Sequence, residues 1–222
     1  MTEKFHIATG LAKIGLYLRA EGWQQAESES LTPTQGQILV HLVRRGPARI
    51  TALAEELAVT QPTASDALSA LIRKGHVEKR SDPADGRASL LHVTTQGRRV
   101  AEVMAEWPDA LLSAIDTLET GEQAVFLRGL TRMIRELQVR GAIPVQRMCA
   151  TCSFFRPNVH NDPAAPHHCA FVDAAFGDAK LRLDCGEHEP AGESETSTLW
   201  QKFLGTSSGE VDAPPAATGE TS

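Results

Sequence analysis

Apolar residues recur at helical spacing through most of this chain, in segments parted by glycine, proline and threonine. From residue 4 to 27, Ile7, Leu11, Ile14 and Leu18 share one face and predict an amphipathic helix, which Gly10 and Gly15 weaken without breaking. Leu31 to Arg45 predicts a second helix, with Thr32 or Thr34 as its cap, Pro33 at its start and Gly46-Pro47 as its end. Farther on, Val100, Val103, Met104, Trp107, Leu111, Leu112, Ile115 and Leu118 predict one long helix over 95–118, kinked or divided by Pro108. A last stripe of Phe126, Leu127, Leu130, Ile134 and Leu137 starts after Thr120-Gly121-Glu122 and closes at Gly141 and Pro144. These first and last helices are longer than a small reading module needs. Their apolar stripes call for a partner, and a second copy of the chain supplies it most simply.

Between them lies a denser pattern. Leu53, Ala54 and Leu57 mark a short helix from about Thr51 to Leu57, and Ala58-Val59-Thr60 turns the chain. A second helix runs from Gln61 to Lys74, with Thr60 as N-cap, Pro62 near its first position and Gly75 at its end. Its buried stripe is Ala64, Ala67, Leu68, Leu71 and Ile72; its other face offers Gln61, Thr63, Ser65, Asp66, Ser69 and Arg73. Two strands follow, HVEKRSD and ASLLHVT, joined by Pro83-Ala84-Asp85-Gly86-Arg87 with Arg87 at the tip. Short helix, turn, helix and basic hairpin are the parts needed to lay one helix in a DNA groove and a loop on the backbone beside it. The candidate contacts are Gln61, Pro62, Thr63, Ser65, Asp66, Ser69, Arg73, Lys74, Arg80, Asp85 and Arg87.

The net charge of −6 argues against a polyanion only until it is located. Residues 1–147 carry 18 bases against 17 acids, whereas residues 148–222 carry 4 against 11. Residues 73–99 hold seven bases and three acids, a local excess suited to phosphate contact.

The run LTPTQGQILVHL (Leu31 to Leu42), the helix–turn–helix segment and the block DPADGR…LHVTTQGRR resemble the MarR family of winged helix-turn-helix repressors over roughly residues 5–140. Asp85 and Arg87 match that family's D-x-R wing signature. The resemblance implies a mainly α fold with a winged helix-turn-helix and long dimerisation helices. It also implies a homodimer on double-stranded DNA and a small-molecule effector, for instance an aromatic ligand in a pocket near Trp23 and Trp107. Asp66 departs from the basic or neutral polar residue often found there, so base preference does not carry over.

All four cysteines lie beyond that region: Cys149-Ala-Thr-Cys152, sixteen residues to Cys169, and fifteen more to Cys185. Clustered thiols in a chain of cytoplasmic type point to metal ligation. The segment holds Phe154, Phe155, Phe171 and Phe176 but few aliphatic residues, so a staple would stand in for a core. Zinc is the first reading and an iron–sulfur cluster the alternative, with His168 or His188 as possible substitute ligands. A metal-free thiol switch uses the same residues. No βαβ pattern surrounds the CxxC, and a bound metal would occupy every thiol, so catalysis, even with Glu187 as a base, is not expected.

The chain thus divides into 1–145, a winged DNA-binding and dimerisation domain; 146–189, a cysteine-rich metal-binding module; and 190–222, a flexible, disordered acidic tail with one short amphipathic stretch at Thr198 to Leu204. Without an 18-residue apolar run or a leader, a cytoplasmic protein with no membrane contact is expected. Recruitment of a protein partner by the module is a further reading.

Overall fold

The computed structural model describes residues 2–205. They form two compact units: the residues up to Glu119 with Arg140–Pro144, and Thr120–Val139 with the described residues from Val145 onward.

In the first unit, α1 (Glu3–Ser28) is followed by α2 (Pro33–Arg45), α3 (Ile50–Glu56) and α4 (Gln61–Arg73). Strands β1 (Val77–Asp82) and β2 (Asp85–Val93) come next, then α5 (Thr95–Met104) and α6 (Asp109–Asp116). Local chemistry sets the boundaries. Thr32 caps α2 in a reciprocal box with Gln35, and Thr60 and Thr94 cap α4 and α5 by accepting from the N–H three residues on. Gly75 ends α4 at φ +73°, where a side chain would be strained.

Ile38, Leu39 and Leu42 of α2 meet Leu53, Ala67, Leu68 and Leu71 of α3 and α4, with Val77, Leu91 and Ala101 closing the core. The hairpin is antiparallel with Val77 opposite Val93, and Ala48 adds a bridge to Leu91. His92 faces Glu78 rather than His76, which is buried before β1, so the two histidines do not pair.

The turn is tighter than the sequence suggested. β2 already begins at Asp85, so Pro83 and Ala84 alone connect the strands and Arg87 is a strand residue beside a bulge at Ser81/Asp82. The expected long helix over 95–118 is divided, not kinked. α5 stops at Met104 and Pro108 caps α6, its carbonyl accepting from Leu111 and Leu112. A proline at that point offers no N–H to carry α5 onward.

Gly97 is a close-approach site. A Cβ there would fall well inside van der Waals contact of the His76 carbonyl oxygen. Gly97→Ala should therefore destabilise this unit by about 1–3 kcal/mol in urea unfolding. A variant as stable as the parent would mean that α5 shifts aside at no cost.

The second unit consists of α7 (Thr120–Val139), a three-stranded antiparallel sheet of β3 (Phe155–Arg156), β4 (His167–Cys169) and β5 (Ala174–Phe176), and α8 (Glu193–Leu204). Single 3-10 turns lie at Cys149–Thr151 and Asp178–Lys180. Its core is Cys152, Phe155, Phe176, Leu181 and Phe203, with Leu127 of α7 and Trp200 against it. Two features correct the sequence reading. The short strands fell below the length at which alternation shows, and residues 193–204 are a packed helix instead of flexible tail. Thr196, Leu199 and Phe203 are buried on one face of α8, and burial holds a helix that composition disfavours. The rest of the expected tail, residues 206–222, lies outside the described residues.

Large apolar side chains remain exposed on the long helices: Ile7 and Ile14 on α1, Leu112 on α6, Val125 and Phe126 on α7. Among the described residues no helix is long and apolar enough to cross a membrane.

Candidate nucleic-acid interface and cysteine cavity

The stripe Ala64, Ala67, Leu68 and Leu71 roots α4 in the core and turns its other face outward. Gln61, Pro62, Thr63, Asp66, Ser69 and Arg73 are exposed there, and Ser65 is half-buried. Thr63 shares a 2.8 Å hydroxyl contact with Thr60, which orders the first turn. Among the described residues no hydrogen bond or ion pair engages the Arg73 side chain.

Lys74 is different. Its ammonium donates to the Ser30 carbonyl and, at 3.1 Å, to Gln35, which ties α4 to the start of α2. On the wing, Arg80 donates to Glu78 at 3.0 Å. Arg87 is exposed, with its backbone N–H donating to Asp85 at 3.1 Å and its guanidinium without an ion pair among the described residues.

Sequence reasoning missed Arg49 and Asp82, which build the base of the wing. Arg49 precedes α3 and donates from Nε to Asp82 at 2.9 Å; its Nη2 also lies 3.5 Å from Asp85. The second Asp82 oxygen accepts the Ala84 N–H at 2.9 Å. A nearly buried carboxylate demands such partners. The only prior signal was a carboxylate on each side of the Pro83-Ala84 turn. Asp85 thus shapes the wing rather than projecting from it.

The Ala84 N–H and then the Arg49 side chain hold the Asp82 carboxyl below its ordinary value, against the effect of burial. With the folded value depressed, the contribution of this pair is complete at neutral pH and disappears only as pH falls through the lowered value. An NMR titration of the Ala84 amide should show its transition below 3.8, the ordinary carboxylate value, and Asp82→Asn should abolish it. A midpoint at or above 3.8 would contradict the geometry.

In the second unit, backbone pairing gathers the thiols. Cys149 donates its N–H to the Arg182 carbonyl at 3.0 Å, and Cys185 donates to Arg147 at 2.8 Å, which runs 147–149 beside 182–185. Cys152 donates to the Cys149 carbonyl at 3.0 Å, and Cys169 sits opposite Phe155 in the sheet. All four cysteines are free thiols and line one cavity of about 210 Å³, walled also by Phe154, Phe171 and Phe176.

Burial pushes the Cys149 thiol up to about 11, the Arg182 N–H 3.3 Å from its sulfur opposes this, and the other three cysteines add to the rise. Such a donor set holds several thiolates only beside a cation. Among the described residues no group of three His, Cys, Asp or Glu side chains is placed to hold a metal ion.

The histidines read as substitute ligands are engaged elsewhere. His188 lies 3.0 Å from the Thr151 hydroxyl, and His168 lies between His160 at 3.3 Å and Asp173 at 3.2 Å. His167 is fully buried. It accepts the Asn158 N–H on Nδ1 and meets Asp178 through Nε2 at 2.9 Å; burial first of all depresses its pKa. Asp178 also receives Arg128 of α7 at 3.0 Å, and Arg128 donates to the Phe203 carbonyl while lying 4.3 Å over the Phe203 ring. One arginine thus joins α7, the 178–180 turn and α8.

The MarR family model matches residues 29–88. The chain is 24% identical over 133 residues to an uncharacterized HTH-type transcriptional regulator of Bacillus subtilis (strain 168), YsmB, covering 60% of this chain and 91% of that protein. Among solved structures, the transcriptional regulator BldR from Sulfolobus solfataricus is 25% identical at a TM-score of 0.50, over 60% of this chain and 96% of its own. A MarR protein from Peptoclostridium difficile, 20% identical over 60% of this chain and 88% of its own, shares the fold at a TM-score of 0.54. Residues 29–88 thus match the MarR family model, and the α3–α4 pair with the wing beside it forms the winged helix-turn-helix arrangement of the solved structures that this chain resembles.

Proposed function

We propose that the protein is a homodimeric repressor whose two α4 helices enter successive major grooves of one duplex, and whose four-cysteine module binds metal and braces α7. The observation that carries the DNA reading is the outward face of α4 beside two arginines, Arg73 and Arg87, that no acid of the described residues neutralises. Gln61, Thr63, Ser65, Asp66 and Ser69 supply base-edge and phosphate contacts, Arg80 and Arg87 meet the flanking backbone, and Asp85 and Lys74 hold these elements in place. The exposed apolar residues of α1, α6 and α7 give a second copy its binding surface, as is typical of the family.

The bracing role rests on the Arg128–Asp178–His167 network. The segment that carries Asp178 continues through Lys180 and Arg182 along the cysteine cavity, so whatever fills the cavity fixes the anchor of α7. Loss of metal then loosens α7 and lowers operator affinity. The full chain should select, from a random duplex pool, an inverted repeat with half-site centres roughly 34–36 Å apart. Selection of no sequence, or of one without two-fold symmetry, contradicts the dimeric reader. Operator affinity that survives chelation unchanged would leave the module a structural element only.

A further inference from the structure

The cavity is the least ordinary feature of the second unit, and its size bears on what it holds. Four-coordinate zinc sits about 2.3 Å from each thiolate sulfur, so the four sulfurs crowd around one point and leave no void. Here the thiols instead line a cavity of about 210 Å³, together with the phenylalanines, Lys180 and Arg182. Among the described residues no three potential ligands are placed to hold one ion. The cysteines come from separate stretches of backbone: the 149–152 turn, the end of β4, and the strand-like run that pairs with Arg147. Four thiols on the wall of one cavity, with no three of them placed for a single ion, suit a polynuclear centre in which the thiols are divided among several irons.

The surroundings agree. Phe154, Phe155, Phe171 and Phe176 line the wall and give it an apolar surface. The Arg182 backbone N–H donates to the Cys149 sulfur at 3.3 Å, and its side chain lies 3.9 Å from the Cys185 sulfur. Lys180 and Arg182 bring two positive charges to the lining. Hydrogen bonds to sulfur and nearby positive charge stabilise thiolate-ligated iron–sulfur clusters and set their potential.

Building on the reading that the cysteine module binds metal, we propose that the cavity takes an iron–sulfur cluster ligated by Cys149, Cys152, Cys169 and Cys185, in place of a single zinc. Each thiol releases its proton to solvent as its sulfur bonds iron, and inorganic sulfide and iron, two of the ions ferric and any others ferrous, supply the rest. No electron transfer is needed for assembly. His160, His168 and His188 take no part, being hydrogen-bonded elsewhere.

The test uses the full chain, purified without oxygen and also reconstituted in competition between iron (ferric and ferrous) plus sulfide and zinc. Iron and acid-labile sulfide in equal amounts, about two or about four of each per chain, with a broad visible absorption, are expected. Cys169→Ser should lose most of the absorption while far-ultraviolet circular dichroism shows the helices kept, and His188→Ala should lose none. One zinc per chain and no colour would overturn the cluster but leave the metal-binding reading standing. A chain that binds neither overturns both.

Discussion

Replacing Arg73 and Arg87 together by alanine should lower affinity for the selected duplex on the order of 100-fold and flatten its salt dependence. Both side chains are exposed on the reading face, and neither has an acidic partner among the described residues, so their charge is available to phosphate. Each phosphate neutralised releases condensed counterions and adds about 0.9 to the slope of log affinity against log salt. Two arginines per protomer in a dimer amount to a loss of roughly 3 to 4 from that slope. Arg80→Ala, whose charge is already shared with Glu78, should have the smaller effect. Lys74→Ala should act through stability instead, since its ammonium is occupied by Ser30 and Gln35. Affinity and salt slope unchanged in the double variant would remove α4 and the wing from the interface.

Phe203→Ala should cost the second unit about 3–5 kcal/mol, the range for emptying an aromatic site in a well-packed core. Phe203 is fully buried, stacks on Trp200 at 5.4 Å between centroids, and meets the rings of Phe155 and His167 within 6 Å. The same substitution removes the ring beneath the Arg128 guanidinium, a cation–π contact worth a further fraction of this sum. Urea unfolding followed by Trp200 fluorescence measures the loss. A change below about 1 kcal/mol would mean that α8 is only loosely held.

The elements that were legible along the chain are those governed by their own neighbours. The stripe Ala64, Ala67, Leu68 and Leu71, the threonines ahead of α2 and α4, and the break at Pro108 each act within one or two helical turns. The cysteine cluster was legible for the same reason, as a spacing. Arg49 and Asp82 were not, because they are 33 residues apart and their pairing depends on how the hairpin folds back on α3. Nor was the three-stranded sheet, whose strands of two or three residues carry no period.

Periodicity and capping alone therefore determined a winged helix-turn-helix followed by a thiol-bearing segment, since hydrophobic spacing and turn chemistry are local properties. Tertiary structure alone decided three things. It grouped α7 with the cysteine-bearing segment through Arg128 and Asp178, and it recruited Phe203 from an apparent tail into the core. It also brought the four cysteines to the wall of one cavity. Each of these depends on residues far apart in the chain meeting in space, and on packing that must satisfy a buried charge or fill a void, neither of which a linear pattern records.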